Sequence, residues 1–576
     1  MKTGNNKSRR DMSSFNSIAK LIVVAHLVLA AATAFAVNAP TLATNGMVVS
    51  ANAISSDIGA QVLQDGGSAV DAAVATAFAL AVTHPTAGNL GGGGFLIYRP
   101  NEGEAVAYDF REIAPTGSHP EMWLVDGEYS YEKHHKSYQS VGVPGTVKGL
   151  YLAWEEHGNL PWKTLVDPAI KLARDGIVVT HGLSRSLKGV LPRMAPYPAS
   201  MAQFSNNGTP FEAGELLQQT DLADTLERIA NNGPDGFYKG KTAALIVTEM
   251  ETHGGLITKE DLHNYEAKKR EPTRGNYRGY EIISMPPPSS GGTALVEMLN
   301  ILEGYNLSEL GFGTTATLHR MIEAMRRAYH DRARYMGDPD FNDKLPLMKL
   351  TSKEYAEELR QAIDLNIASE STPEGFKLPE ESPNTTHFSV VDADRNAVSL
   401  TYTLEWGYGS AIVVSGAGFL LNNEMGDFNA GPGLTNSQGL IGSPANLAEP
   451  GKRMLSSMTP TILAKDGELF MLTGTPGGRT IINTVMQTIL NVVDHRMNAQ
   501  AAVDAGRIHH QWLPDVVRVE TLGFSNDSLN ALRAMGHETE ERTAIGTAEV
   551  IVVNTQENLL EGGVDRRRPD GGASGY

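Results

Sequence analysis

The stretch Asn384-Thr385-Thr386-His387-Phe388-Ser389-Val390-Val391-Asp392 begins where a polar linker gives way to β-patterned sequence. Upstream, residues 366–384 carry prolines and acidic side chains and read as an exposed connection. Downstream, residues 387–391 and 397–403 are β-patterned, and Asp392-Ala393-Asp394-Arg395-Asn396 between them is turn chemistry. A hairpin with a five-residue loop is predicted. In the simplest register Val391 faces Ala397, and counting outward sets Thr385 opposite Thr403, with Cβ atoms about 5 Å apart. Two hydroxyls would then face each other at the open end of the hairpin.

Taken alone, Thr385-Thr386 says little, because strands are rich in threonine. The position of Thr385, where linker meets strand, gives it weight. A cut between Asn384 and Thr385 would leave a threonine with a free α-amine at the start of a strand. Such an amine can act as general base for its own hydroxyl. With a reference pKa of about 8, a minor fraction is neutral and basic at pH 7.

Further along, residues 460–463 and 469–473 form a second hairpin around Asp466-Gly467, followed by Gly477-Gly478 and a helix over about 480–494. In the other direction, residues 47–100 read as strand, helix, helix, strand. Ser68 offers an N-cap with Asp71 three residues on, and Val70, Val74, Ala77, Phe78 and Ala81 follow at helical spacing. Gly88-Asn89-Leu90-Gly91-Gly92-Gly93-Gly94 then precedes an apolar run; such glycines let backbone approach backbone or ligand, or form a plain loop. Residues 115–375 are rich in helical patterns, with an apolar stripe of Leu318, Ile322, Met325 and Tyr329. No internal repeat or low-complexity tract is evident.

At 576 residues and 41% hydrophobic, the chain has ample material for a core and is too polar for a multi-span membrane protein. Residues 1–36 read as a signal peptide: five basic residues, an apolar run over 21–32 too short to span a bilayer comfortably, then Ala34-Phe35-Ala36. Export to a periplasmic or extracellular location is expected, with no stable membrane span once the leader is gone. Its removal would take the formal net charge from −18 to −22, a surface that repels phosphate backbones and argues against nucleic acid as a partner. There is no cysteine, so thiol nucleophiles and thiolate metal sites are excluded. Covalent chemistry must use Ser, Thr, Lys or a carboxylate.

The segment beginning at Asn384 resembles the start of the small subunit of γ-glutamyltranspeptidases. Further segments match in order: His84-Pro85 with residues 87–94, Asp109-Phe110-Arg111-Glu112, Val143-Pro144-Gly145, Asn422-Asn423-Glu424-Met425 with Asp427-Phe428, and Leu455-Ser456-Ser457-Met458. Pro476-Gly477-Gly478, His509-His510-Gln511 and the terminal Gly575-Tyr576 complete the set. The resemblance implies an α+β fold, the four-layer αββα sandwich of N-terminal nucleophile hydrolases. It also implies autocatalytic cleavage before Thr385. A large subunit, residues 37–384, and a small one, residues 385–576, would form a heterodimer within one interleaved domain. No cofactor or metal is implied.

A γ-glutamyl group presents an α-carboxylate, an α-ammonium and a reacting γ-carbonyl, so its site needs a cation, an anion and an oxyanion hole. By resemblance, Arg111 is the cation, its planar fork suiting a carboxylate, with Ser456 and Ser457 adding hydroxyl bonds. Read without the resemblance, Arg111 beside Asp109 and Glu112 is an ion-pair member and the serines are turn caps. Glu424 and Asp427, three apart, can face one point and hold the ammonium; otherwise they are a solvated pair. Gly477 and Gly478, between strand and helix, can aim amides at an oxyanion, or simply turn the chain. Thr403 would hydrogen-bond the nucleophile. His509 and His510 point apart and read as packing.

Two positions depart from many family members. Glu405 stands where Asn is common, and a carboxylate there could still reach the ammonium. Residues 429–454 are long enough for a lid, with Gln438 where some members place an aromatic gate. Donors would be glutathione and γ-glutamyl compounds, and acceptors water, amino acids or peptides. A glutaryl (cephalosporin) acylase of the same fold and a non-catalytic exported scaffold are the alternatives.

Overall fold

The hairpin forms in the predicted register: Thr386–Val391 runs antiparallel to Ala397–Thr403, with Val391 opposite Ala397 and Thr386 opposite Tyr402. The computed structural model describes residue 1 and residues 38–372, 385–434 and 444–576. Residues 2–36 of the leader, Asn384 and Gln438 lie outside these residues. The carboxylate of Asp392 closes the hairpin turn by accepting the N–H groups of Asp394 and Asn396 at 3.0 and 2.9 Å.

Within Pro40–Tyr576, the hairpin lies in the middle of a seven-stranded antiparallel sheet. Its strand order is Lys268–Arg270, Val106–Phe110, Gly93–Arg99, Ala397–Thr403, Thr386–Val391, Met47–Ser50, Gly572–Gly575. A second seven-stranded sheet runs Thr41–Ala43, Leu559–Val564, Glu549–Asn554, Glu468–Gly474, Thr461–Lys465, Tyr280–Ser284, Thr273–Tyr277. Each sheet takes strands from both sides of position 385.

Alternation along the strands builds the layers. Leu96, Phe388, Val390, Val398 and Leu400 pack against Val74 and Phe78 of the helix Ala69–Thr83. Their neighbours Phe95, Ile97, Val391 and Ala397 join Ile462, Leu472 and Val550 of the second sheet. Behind that sheet lie Leu295 and Met298 of the helix Gly291–Glu303 and Val485 and Ile489 of the helix Thr480–Val493. The result is helix, sheet, sheet, helix. Full burial of a Leu or Phe side chain is worth roughly 1.5–3 kcal/mol, so a one-residue slip that turned Phe388 and Val390 away from the helices would be strongly disfavoured.

Two local expectations hold on the flanking helices. Ser68 and Asp71 form a reciprocal capping box on the helix Ala69–Thr83. The stripe Leu318, Ile322, Met325 and Tyr329 is buried on the helix Thr315–Tyr335. The expected exposed linker is corrected at one described residue. Ser371 is buried, because its N–H donates to Asp515 at 2.7 Å and its hydroxyl accepts from Arg326. His509 contacts Asn483 and Gln511 whereas His510 contacts Asp515, so the two rings do point apart.

The layer between the sheets is polar beneath the hairpin's open end. His387 Nδ1 meets Thr401 Oγ1 at 2.8 Å and Nε2 meets Ser389 Oγ at 3.1 Å. Burial holds the His387 pKa down at about 3. The unfolded chain takes up this proton near 6.5, so between these limits the unfolded state binds more protons. The stability tied to neutral His387 is therefore present above about 6.5 and lost as pH falls. In urea melts between pH 7 and 4, His387→Gln should reduce the pH slope of stability by up to about 1.4 kcal/mol per pH unit. An unchanged slope would refute this assignment.

Candidate active site

Thr385 is buried at the head of its strand, and its Oγ1 donates to Thr403 Oγ1 at 3.4 Å. Thr403 Oγ1 also accepts the Glu405 N–H at 2.9 Å. The backbone of Thr403 is gripped from the other side: its carbonyl accepts from Asn89 Nδ2 at 2.8 Å, and its strand partner is Gly93. Here the glycine run has its physical reason. A Cβ on Gly92 would stand 2.0 Å from the Thr403 carbonyl oxygen, and one on Gly93 would stand 2.6 Å from Glu112 Oε2. Any side chain would push the hairpin away from the strand that carries Arg111 beyond its end.

Arg111 is fully buried. Its Nη1 bonds to Glu424 and its Nη2 to Asp427, and Glu112 lies 3.7 Å away. Nε and Nη2 also donate to the carbonyls of Met454 and Leu455, each at 3.3 Å. The short 3-10 turn Glu424–Asp427 sets both carboxylates on one side, as their spacing predicted. That turn is fixed by Asn422, whose side chain accepts from the N–H groups of Gly142 and Glu424 and donates to the carbonyls of Gly91 and Gly142.

Three carboxylates around one guanidinium leave surplus negative charge. Burial works against the charge on Arg111, but Glu424, Asp427 and Glu112 outweigh it and hold the group protonated. Burial raises Glu112 to about 7, against the pull of Arg111. Burial also pushes Glu424 well above the usual carboxylate range, with Glu112 and Asp427 adding to the rise. An incoming cation is the natural complement to this group.

Glu405 adopts a left-handed backbone, with φ +73°. Its Oε2 accepts from Asn423 Nδ2, and its Oε1 lies 3.7 Å from His135 Nδ1. Gly477 and Gly478, with φ +136° and +56°, carry the chain from the strand Glu468–Gly474 into the helix Thr480–Val493. The first amides of a helix have no intrahelical acceptor and its dipole is positive there. Ser456 Oγ accepts from the Met458 N–H at 3.1 Å, and Ser457 Oγ accepts from Arg332 Nη2 at 2.9 Å.

One cavity open to solvent unites these parts: Thr385, Thr403, Arg111, Glu405, Glu424, Asp427, Ser456, Ser457 and Gly478 all line it. Gly477 does not line it but is next to Gly478, and Asn384 is not among the described residues. Arg332 and Arg479 also line the cavity and were missed. Arg479 directly follows Gly477-Gly478 and was within reach of the sequence. Arg332 is one of several arginines on a long helix, and no spacing singles it out.

Among the described residues, His319, Glu323 and His537 come close enough to share a cation. None of them lines the cavity. Most of their polar atoms already have protein partners, although His537 Nδ1 is buried with none. The two imidazoles meet at 2.8 Å, His319 Nε2 contacts the Asp364 carbonyl, and Glu323 is held by Arg327 and the Ser369 N–H.

A four-layer αββα sandwich with a buried threonine opening an inner strand, facing a cavity that carries charges of both signs, defines an N-terminal nucleophile hydrolase. The sequence profile described as Gamma-glutamyltranspeptidase matches residues 55–576. The chain belongs to the γ-glutamyltranspeptidase family. It is 48% identical to a glutathione hydrolase proenzyme of Escherichia coli, over 93% of each chain. A cephalosporin acylase structure from Bacillus halodurans superposes with TM-score 0.83 at 29% identity, covering 94% of this chain and 98% of that one. A γ-glutamyltranspeptidase structure from Helicobacter pylori is 45% identical with TM-score 0.54, covering 55% of this chain and 91% of that one. No helix among the described residues is long and apolar enough to cross a membrane.

Proposed function

We propose that this enzyme is exported, cleaves itself between Asn384 and Thr385, and then transfers γ-glutamyl groups from glutathione and other γ-glutamyl amides to water or to amino acid and peptide amines. Residues 1–36 are the leader, 37–384 the large subunit and 385–576 the small one, the two remaining together as a heterodimer. In maturation the Thr385 hydroxyl adds to the Asn384 carbonyl, the peptide C–N bond breaks to leave an ester and a free α-amine, and water opens the ester. In turnover that amine takes the proton from Oγ1 as Oγ1 adds to the γ-carbonyl, then passes it to the departing amine. The resulting γ-glutamyl ester is released by water or an acceptor amine. Gly477 and Gly478 supply the oxyanion site and Thr403 orients the hydroxyl.

One observation carries the donor assignment: the cavity that holds Thr385 also holds Arg111 beside Glu424 and Asp427. This ion pair is the mirror of an amino acid head group. The donor's carboxylate replaces Glu424 and Asp427 on Arg111, with Ser456 and Ser457 donating to it. The released carboxylates, with Glu405, receive the donor's ammonium.

The acylase structure raises a second reading, a glutaryl donor. A glutaryl group would break the internal pair and return no ammonium to the carboxylates. Hydrogen bonds to charged groups contribute about 1.5–3 kcal/mol each. The kcat/KM for a glutaryl anilide should therefore fall roughly 10- to 100-fold or more below that for the γ-glutamyl anilide. Steady-state kinetics on the two anilides decide the matter, and a glutaryl preference would overturn the donor assignment.

A further inference from the structure

We propose that Arg332 is a positioning residue of the α-carboxylate subsite, acting through Ser457 and Ser290; the inference rests on the γ-glutamyl donor reading. Arg332 comes from the helix Thr315–Tyr335 and is only 5% exposed. Its Nε donates to Ser290 Oγ at 2.8 Å and its Nη2 to Ser457 Oγ at 2.9 Å. Ser290 belongs to the motif Pro286-Pro287-Pro288-Ser289-Ser290-Gly291-Gly292, whose turn is zipped to the segment bearing both cavity serines. The Ser290 N–H and hydroxyl donate to the Ser456 carbonyl at 2.8 and 2.7 Å, the Ser456 N–H donates to the Pro288 carbonyl at 3.0 Å, and Ser289 Oγ donates to the Met458 carbonyl at 2.6 Å.

The consequence follows from counting protons. A guanidinium only donates, and a hydroxyl has a single proton. Ser290 spends its proton on the Ser456 carbonyl, so it meets Arg332 as an acceptor. Ser457 likewise meets Arg332 as an acceptor, which leaves its own proton to be donated elsewhere, and its side chain lines the cavity. Ser456 is polarised the same way by the Met458 N–H. Both serines thus keep an O–H to donate while one acceptor site on each oxygen is already taken, which suits a carboxylate better than an ammonium. Arg332 adds positive charge behind them, while Glu424 and Asp427 mark the opposite preference. Arg332 therefore helps fix which way round the amino acid head group enters, and so which face of the γ-carbonyl Thr385 meets. A lysine lacks the planar fork by which Nε and Nη2 reach the two hydroxyls from separate nitrogens.

The test uses two anilides, the γ-glutamyl anilide and the 4-aminobutanoyl anilide, which keeps the ammonium and the scissile amide but lacks the α-carboxylate. In Arg332→Met, KM for the γ-glutamyl donor should rise about 10- to 100-fold with kcat within about 3-fold, while KM for the 4-aminobutanoyl donor stays unchanged. Adding Ser457→Ala should cost little more, because the two act as one unit. Arg332→Lys and Ser290→Ala, milder changes that carry the test if the Met variant does not fold, should show the same donor-selective rise to a smaller degree. The proposal falls if these variants keep the wild-type donor preference, lose both donors equally, or combine additively with Ser457→Ala. A wild-type enzyme indifferent to the α-carboxylate would overturn the donor reading itself, and the role of Arg332 with it.

Discussion

Thr385→Ala is expected to remain one uncut polypeptide and to lose about 10⁴-fold or more of its γ-glutamyl transfer activity. On a denaturing gel the parent protein should give two bands, the smaller beginning Thr-Thr-His by N-terminal sequencing, and the variant a single band. The size of the effect follows from Thr385 doing two jobs with one hydroxyl. It attacks the Asn384 carbonyl in maturation and the donor carbonyl in turnover, and the second job needs the α-amine that the first releases. Thr403 cannot substitute, because it lies inside a strand with its N–H in a peptide bond and its hydroxyl already accepting from Glu405. The alanine variant should nevertheless fold, since the hairpin is held by Thr386–Val391 and not by Thr385. Cleavage of the variant at the same bond would refute self-processing, and an active parent found as one intact chain would refute the whole mechanism.

Arg111→Met should fail in two separable ways. Removing the cation strands Glu424 and Glu112, both buried, beside Asp427 with nothing to balance them. Breaking a buried pair from one side costs about 3–5 kcal/mol, so urea melts should show a loss of that order. Donor recognition should fail as well, with kcat/KM down roughly 10²- to 10⁴-fold as the α-carboxylate loses a charged, two-pronged partner. The double variant Arg111→Met/Glu424→Gln separates the two, because a neutral amide removes one stranded charge. Stability should return in part while activity stays low. Recovery of activity along with stability would show that Arg111 serves only the fold.

The hairpin was legible because everything that fixes it is local. Alternation along residues 386–403 and the turn chemistry of Asp392 to Asn396 set the register, and the register alone set Thr385 against Thr403, 18 residues apart. The capping box at Ser68 and the buried stripe on the helix Thr315–Tyr335 were readable for the same reason. The charged side of the site was legible only by resemblance. Arg111, Glu424 and Asp427 are ordinary charged residues in sequence, and their partnership spans more than 300 residues. Arg332 left no trace at all, since its meaning lies in two hydroxyls on other segments, one 42 and one 125 residues away.

By itself, then, the sequence determined the strand that carries the nucleophile, its neighbour across the hairpin and the turns at either end, because periodicity and turn chemistry act over a few residues. Tertiary structure alone decided that a guanidinium would be surrounded by three carboxylates and that a second arginine would set the polarity of the serines. Such burial of charge is affordable only where distant segments arrive together with matching donors and acceptors, and that matching is settled by the packing of two sheets and their helices.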